Sequence, residues 1–527
     1  MVKNGLGRGS MWAMTLLARA PREADERSAS TRSVSIEHFP IGGVIAAMLT
    51  AIALRARFVT TPLTSDEGGY LAVARAWAAG KHLYTEAWVD RPQGLLVLFR
   101  FWDDLIGGSG PAIRIMAMVF GCIAVAAVAY TVFALAGPRA AGAAALLVAV
   151  ASSNARIEGF IANGELLAGG FAAAGVAAAC AYLFRDRGIS WLYASGVIAG
   201  LAMSIKQSGC DGFLAVMLCI LVGGFTGEGK WREVLRESAV ALAGLATVLA
   251  VLFIHGLVVG LGAWWYAIAG YRLQGINATS RADWHRFGIT SRLAAPTILP
   301  LAAVVVAGVV AWLARSRRVT RSHVLIPAWI CFAVITFLAG GLFHRHYWVT
   351  LTFPIGAAAG FVVGKIRSQV AVITIACLVA VPSLISSMHV IVLPRAAATV
   401  LASDDPRSLV NEQVGDWYRQ NRTANSTIYA MCASAGMYAS ADAIPPYPYL
   451  WEDGVLNGRD AQTKLEQLFA GSSAPTFVVE YGRPAGCNHS GQVATLLRER
   501  YTYRATVGGL TVLVLDGSTE ATPTTAR

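Results

Sequence analysis

Eleven stretches of this chain are candidates to cross a bilayer, for which roughly 20 apolar residues are the usual need, the third and fifth being short. They fall at 41–59, 111–136, 140–153, 164–184, 189–205, 211–226, 238–262, 294–314, 324–343, 349–364 and 370–393. Backbone in lipid must satisfy its own hydrogen bonds, so such spans are helices. The expected fold is therefore an all-α polytopic membrane bundle of about 11 transmembrane helices. The spans are rich in Ala, Gly, Val and Leu, as close helix–helix packing in lipid requires. With 55% hydrophobic and 14% charged residues, an ordinary soluble globular chain is excluded. Residues 1–40 are mixed in charge, and their apolar patch, Met11 to Ala18, is too short to span. They are expected to be a disordered cytoplasmic leader.

Charge then orients the bundle. With the N-terminus inside, the cytoplasmic loops hold Arg139, Arg185, Arg187, Lys230, Arg232, Arg236, Arg315, Arg317, Arg318, Arg321, Lys365 and Arg367. Only Asp186, Glu228, Glu233 and Glu237 oppose those twelve bases. The first outer loop, 60–110, carries six acids against four bases. This is the positive-inside pattern, and much of the net charge of +12 marks a membrane surface and not nucleic-acid binding. The outer loop 263–293, with Arg272, Arg281, Arg286 and Arg292 against Asp283, runs against the rule. Arg55 and Arg57, near the outer end of the first span, must snorkel or face a cavity.

After Leu393 the composition changes. Residues 394–527 hold 13 acids and 11 bases with no further spanning window, which predicts a soluble extracytoplasmic domain. Strand-like runs at 427–432, 476–480 and 510–515 alternate with helical stretches near 408–421, 460–469 and 492–500, a small α/β pattern. Cys432 and Cys487 fall here, on an oxidising side where a disulfide is one option. The last ten residues form a loose tail by composition.

The first outer loop carries the most chemistry. Asp66-Glu67-Gly68-Gly69-Tyr70 opens a helical stretch, Leu71 to Ala79, that ends at Gly80. An aromatic-flanked acid–base turn follows, Asp90-Arg91-Pro92, and then an amphipathic run from Leu95 to Ile106 with Asp103-Asp104 on its expected solvated face. Adjacent carboxylates at the lip of a bilayer are costly unless they do chemistry or bind a cation. An ordinary helix N-cap explains one such residue, not two.

This loop resembles the first outer loop of the GT-C glycosyltransferases, specifically the protein mannosyltransferase and aminoarabinose transferase group that uses polyprenyl-phosphate sugars. Those proteins place an acidic pair after the first span and an acid–base–Pro turn later in the same loop. The resemblance extends to Glu165 at the start of the fourth span and to Lys206-Gln207 after the fifth. It also takes in His346-Tyr347 ahead of the tenth span, and Arg272 in the loop after the seventh. It implies a transferase that takes a sugar from a polyprenyl-phosphate carrier and passes it to an envelope glycolipid, polysaccharide or protein at the extracytoplasmic face of a bacterial inner membrane.

That chemistry gives the residue types a reason. Glycosyl transfer from a lipid phosphate needs a base for the acceptor proton and cations for the leaving phosphate. Asp66, Glu67 and Glu165 are the candidate catalytic acids. Asp90, Arg91, Lys206, Gln207, Arg272, His346 and Tyr347 are the candidate donor-binding residues. Asp66 and Glu67 also suit a divalent ion such as Mg, Mn or Ca, and a carboxylate–His pairing suits Zn. Local roles compete: Asp90-Arg91 as a turn-fixing ion pair, Lys206 snorkelling, the histidines as interfacial packing. A transporter or flippase of lipid-linked saccharides is the rival class, but inverted repeats with broken midplane helices are not evident in the sequence.

Overall fold

The computed structural model describes residues 38–107, 110–275, 280–315, 319–403, 405 and 407–518. Most of the leader, the tail, and Arg317 and Arg318 lie outside the described residues. In chain order the helices are α1 (Ile41–Ala56), α2 (Ser65–Ala78), α3 (Gln93–Ile106), α4 (Gly110–Ala136), α5 (Pro138–Ser152), α6 (Gly164–Arg185) and α7 (Ser190–Ile205). Next come α8 (Asp211–Phe225), α9 (Trp231–Val259), α10 (Leu261–Trp265), α11 (Tyr271–Gly275), α12 (Arg281–Arg315), α13 (Arg321–Ala339), α14 (Tyr347–Val363) and α15 (Gln369–Ile391). Among the described residues seven helices are long and apolar enough to cross a membrane, and α1, α5, α7 and α14 are shorter apolar helices. Each apolar window of the sequence overlaps one of these eleven.

Two helices outrun their windows. α9 begins at Trp231 and α12 at Arg281, because polar and charged turns continue the helix where hydropathy has already ended. The expected outer loop 263–293 is thus largely helical: α10, one π turn (Tyr266–Gly270), α11 and the start of α12. In the first loop, α2 starts earlier than expected. Thr64 is the cap, in a capping box with Glu67, so Asp66 is not the N-cap.

Small residues set the closest helix contact. A Cβ at Gly244 of α9 would lie 2.1 Å from the Tyr193 carbonyl, and one at Gly196 of α7 2.0 Å from the Ala241 carbonyl. The two backbones therefore touch, as small-residue interfaces in lipid do. Gly244→Val is expected to cost about 1–3 kcal/mol, the range for forced overpacking. The check is the thermal unfolding midpoint of the detergent-solubilised protein; an unchanged midpoint would contradict the close approach.

The C-terminal domain contains α16 (Arg395–Ala402), α17 (Ser408–Asn421), β1 (Ile428–Met431), α18 (Ala435–Ala441), α19 (Glu452–Asn457), α20 (Ala461–Ala470), β2 (Phe477–Glu480), α21 (Gln492–Arg500), β3 (Tyr501–Val507) and β4 (Leu510–Leu515). The sheet order is β1-β2-β4-β3, with β1 parallel to β2 and the other pairs antiparallel. Buried Val, Ile and Phe on β1, β2 and β4 pack against the flanking helices. β3 was not expected from sequence: its Tyr-Thr-Tyr alternation runs straight on from α21. Cys432 and Cys487 form a disulfide with Cα atoms 5.2 Å apart, bracing the turn after β1. The domain docks on α2 through Gly68 and Gly69. Added Cβ atoms there would lie 2.7 Å from Gly436 Cα and 2.4 Å from the Trp451 ring.

Candidate active site

The adjacent acids of α2 turn in different directions. Glu67 is fully buried: its carboxylate accepts from the Thr64 amide (3.1 Å) and the Ala162 amide (2.8 Å), and pairs with Arg114 at 3.1 Å. It fixes α2 to α4 and to the 153–163 loop. The Asp66 side chain is instead 26% exposed. It accepts a hydrogen bond from Trp451 Nε1 at 3.2 Å and lies 3.9 Å from His346 Nε2.

His346 gathers three acids. Its Nδ1 bonds Glu158 at 2.8 Å, and Nε2 lies 3.9 Å from both Asp66 Oδ2 and Glu165 Oε2. Burial disfavours the imidazolium, but Glu165, Glu158 and Asp66 outweigh it and raise the pKa to about 10. The ring is therefore a cation at neutral pH. Glu165 also pairs with Lys206, whose ammonium sits 4.3 Å above the Tyr347 ring. Gly164 leaves room for the lysine stem: a Cβ there would lie 3.1 Å from Lys206 Cδ.

Sequence reasoning missed Glu158. It sits in a short turn between two spans, with a left-handed backbone (φ 56°) that a non-glycine residue adopts only when its surroundings hold it there. Arg55, flagged as awkward, supplies that hold: buried to 1%, it donates to the carbonyls of Gly159 (2.8 Å) and Ser152 (2.8 Å) and to the Ser153 hydroxyl. An arginine near the outer end of the first span and an acid in the polar turn after the third span were the available signals.

A second ion cluster adjoins the first. Asp90 bridges Arg91 (2.8 Å) and Arg272. Burial pushes its carboxyl up, but the charges of Arg272 and Arg91 win and hold it down to about 2. The Arg91 charge also acts on Asp66 and Tyr347, which ties the two clusters together. Asp66, Asp90, Glu158 and Glu165 thus face His346, Lys206, Arg91 and Arg272, four charges of each sign. Gln207 stands apart: its amide donates to the Ile268 carbonyl at 2.6 Å and anchors the π turn. Asp103, expected on a solvated face, instead pairs with Arg75 at 2.9 Å and ties α3 to α2.

The C-terminal domain reaches the same cluster. Trp451 reaches Asp66 across 385 residues, the Tyr271 hydroxyl donates to Asp453, and the Arg459 amide donates to the Tyr266 hydroxyl at 3.0 Å. The Arg459 guanidinium also lies 4.4 Å over the Tyr266 ring.

A divalent ion needs donors converging on one point at about 2.0–2.6 Å. Among the described residues no three His, Cys, Asp or Glu side chains are so arranged. Asp66 and Glu165 flank His346 Nε2, but the imidazolium proton and the Lys206 ammonium already supply positive charge there. The expected Asp66–Glu67 ligand pair diverges. The residues present do not fit a resident cation.

Residues 90–256 match the family model described as dolichyl-phosphate-mannose-protein mannosyltransferase. No curated protein matches the chain significantly in sequence. Among solved structures, ArnT from Cupriavidus metallidurans bound to undecaprenyl phosphate superposes with a TM-score of 0.62 at 11% identity, over 92% of this chain and 99% of that one. An Archaeoglobus fulgidus oligosaccharyltransferase in complex with Zn and sulfate gives 0.52 at 15% identity, over 88% and 72%. The archaeal oligosaccharyltransferase AglB from the same organism, with an inhibitory peptide and a dolichol-phosphate, gives 0.53 at 12%, over 92% and 75%. At these identities the structures show the fold, that of the GT-C glycosyltransferases, and over residues 90–256 the chain is similar to the protein mannosyltransferase family.

Proposed function

We propose that this enzyme moves a sugar from an undecaprenyl- or decaprenyl-phosphate carrier to an envelope glycolipid, polysaccharide or protein at the extracytoplasmic face of the bacterial inner membrane. Residues 41–393 form the catalytic membrane unit in this reading, 1–40 a cytoplasmic leader, and 394–527 an extracytoplasmic domain. The carrier is the class printed for two of the structural neighbours, undecaprenyl phosphate for ArnT and dolichol-phosphate for AglB. The basic cytoplasmic loops support the orientation.

One observation carries the assignment of roles: a half-open carboxylate, Asp66, stands near cations that are each already paired with an acid. Asp66 takes the proton of the acceptor nucleophile as that atom bonds to the anomeric carbon. The bond from that carbon to the carrier phosphate breaks, and the polyprenyl phosphate leaves with the electron pair. Lys206, Arg91 and Arg272 receive the phosphate in place of Glu165 and Asp90, an exchange of one anion for another that keeps the cations preorganised. Protonated His346 adds charge at the same point. Direct displacement inverts the anomeric centre.

The test is reconstitution of the full-length protein in liposomes with undecaprenyl-phosphate glucose, mannose or aminoarabinose and an envelope lipid extract. Free undecaprenyl phosphate should accumulate with one donor as the extract gains the sugar. Movement of the intact carrier across the bilayer, without free undecaprenyl phosphate, would instead be flippase behaviour and would overturn the reading.

A further inference from the structure

The turn that carries Glu158 is clamped by two buried side chains. Arg55 of α1 grips its backbone at Ser152 and Gly159. Asn154, fully buried, ties the same turn to α12 and α15. Its Nδ2 donates to the Thr297 hydroxyl of α12 at 2.9 Å, and to the carbonyl and hydroxyl of Ser383 on α15, each at 3.0 Å. Its Oδ1 accepts from the Arg156 amide at 2.8 Å, which caps the short turn Ala155–Ile157. Ser387, one turn further along α15, accepts from the Ala155 amide at 3.2 Å. The Asn154 carbonyl accepts from the Gly159 amide at 3.0 Å and closes the turn behind Glu158.

An amide inside an apolar bundle is costly to bury unless its polar groups are bonded. Asn154 meets that condition at both ends of its side chain. Thr297 and Ser383 also bond each other at 2.9 Å, so the three residues form a closed triangle. Thr297 follows Pro296 and Ser383 follows Pro382, so the triangle sits where both helix ladders lack a donor. A fully bonded polar network fixes one arrangement where apolar packing alone tolerates several. What this network fixes is the Glu158 turn. Glu158 comes four residues after Asn154, and its Oε2 lies 2.8 Å from His346 Nδ1. A bond at one ring nitrogen sets where the other points. His346 Nε2 points between Asp66 and Glu165, 3.9 Å from each.

We infer that Asn154 is a positioning residue of the transfer site: through the Glu158 turn it aims the His346 ring between Asp66 and Glu165. The action is at second hand. Asn154 bonds the turn, the turn carries Glu158, and Glu158 holds the ring. The purpose rests on the transfer reading, in which His346 brings its charge to the carrier phosphate; the placement of the ring can be observed without it. Arg55 still grips the turn when Asn154 is replaced, so the variant should keep its fold and lose the aim of the ring.

The test pairs a spectroscopic readout with kinetics on the full chain in phosphatidylcholine nanodiscs. With ¹⁵N-labelled histidine, the His346 ring signals are identified by their loss in His346→Gln. Asn154→Leu, which keeps the volume and removes the amide, should move those signals. Gly244→Val, which strains the α7–α9 contact instead, should lower the unfolding midpoint and leave them in place. In transfer, Asn154→Leu should lower kcat by about 10–10²-fold, as a misplacement near 1 Å does. In the His346→Gln background the same change should cost little more, because residues that act in series are not additive. Should Asn154→Leu fail to fold, Ser383→Ala takes its place, since it removes one acceptor and keeps the carbonyl. Unmoved His346 signals overturn the inference, and so does wild-type kcat or a full further loss in the His346→Gln background. If no donor supports transfer but the His346 signals still move with Asn154→Leu and not with Gly244→Val, Asn154 does position the ring and the transfer reading falls.

Discussion

Asp66→Asn should lower sugar transfer by about 10²–10⁴, the usual cost of a lost positioned base, while the protein folds and holds its carrier. The structure separates those properties. The cap of α2 is made by Thr64 and Glu67, so neutralising Asp66 leaves the helix start intact. An Asn side-chain oxygen still accepts from Trp451 Nε1, which keeps the C-terminal domain seated. The carrier cations, Lys206, Arg91 and Arg272, keep their partners Glu165 and Asp90. Turnover should therefore fall with little change in undecaprenyl phosphate affinity. Glu67→Gln should do the reverse: it weakens a buried pair with Arg114 and lowers stability first. Trp451→Phe, which removes one hydrogen bond to Asp66, should fall between wild type and Asp66→Asn in turnover. Near-wild-type transfer by a well-folded Asp66→Asn would remove Asp66 from the chemistry.

How much of this the sequence disclosed depends on the range of each interaction. Hydropathy is a local property, so the apolar windows and their order were legible; α12 was misjudged because its first turns are polar and run past the lipid-type sequence. The acid pair at 66–67 was legible as a motif, but not the divergence of its members, which follows from the Ala162 amide and Arg114 arriving from other helices. The same holds for Glu158, whose meaning appears only when His346 is brought 2.8 Å away from 188 positions later in the chain. Trp451 and Asp453 were invisible for a further reason: they belong to a domain whose sequence reads as an independent α/β unit, and only docking on Gly68 and Gly69 brings them to Asp66 and Tyr271. Short motifs locate acids; the fold decides which of them meet a substrate.

The unfolding midpoint of the wild-type protein should fall as pH rises from 7 to 9.5, and His346 is the group that makes it fall. Its folded pKa is raised to about 10, against about 6.5 for an unperturbed imidazole. Between those values the folded protein holds a proton that the unfolded chain has released. The stabilisation is thus complete below about pH 6.5 and is lost as pH climbs through 10. Around the ring stand Glu158, Glu165 and Asp66, with Lys206, Tyr347 and His344 close by. His346→Gln keeps a polar side chain but no charge. It should lower the midpoint at pH 7, since removing one partner of a buried ion cluster costs roughly 3–5 kcal/mol. It should also flatten the fall between pH 7 and 9.5, because the variant has no proton at this position to lose. Transfer activity should follow the same course, since the positive charge that meets the carrier phosphate disappears with that proton. Identical pH slopes in wild type and His346→Gln would mean that the imidazole is neutral in the folded protein, and the charge at the leaving group would then rest on Lys206, Arg91 and Arg272 alone.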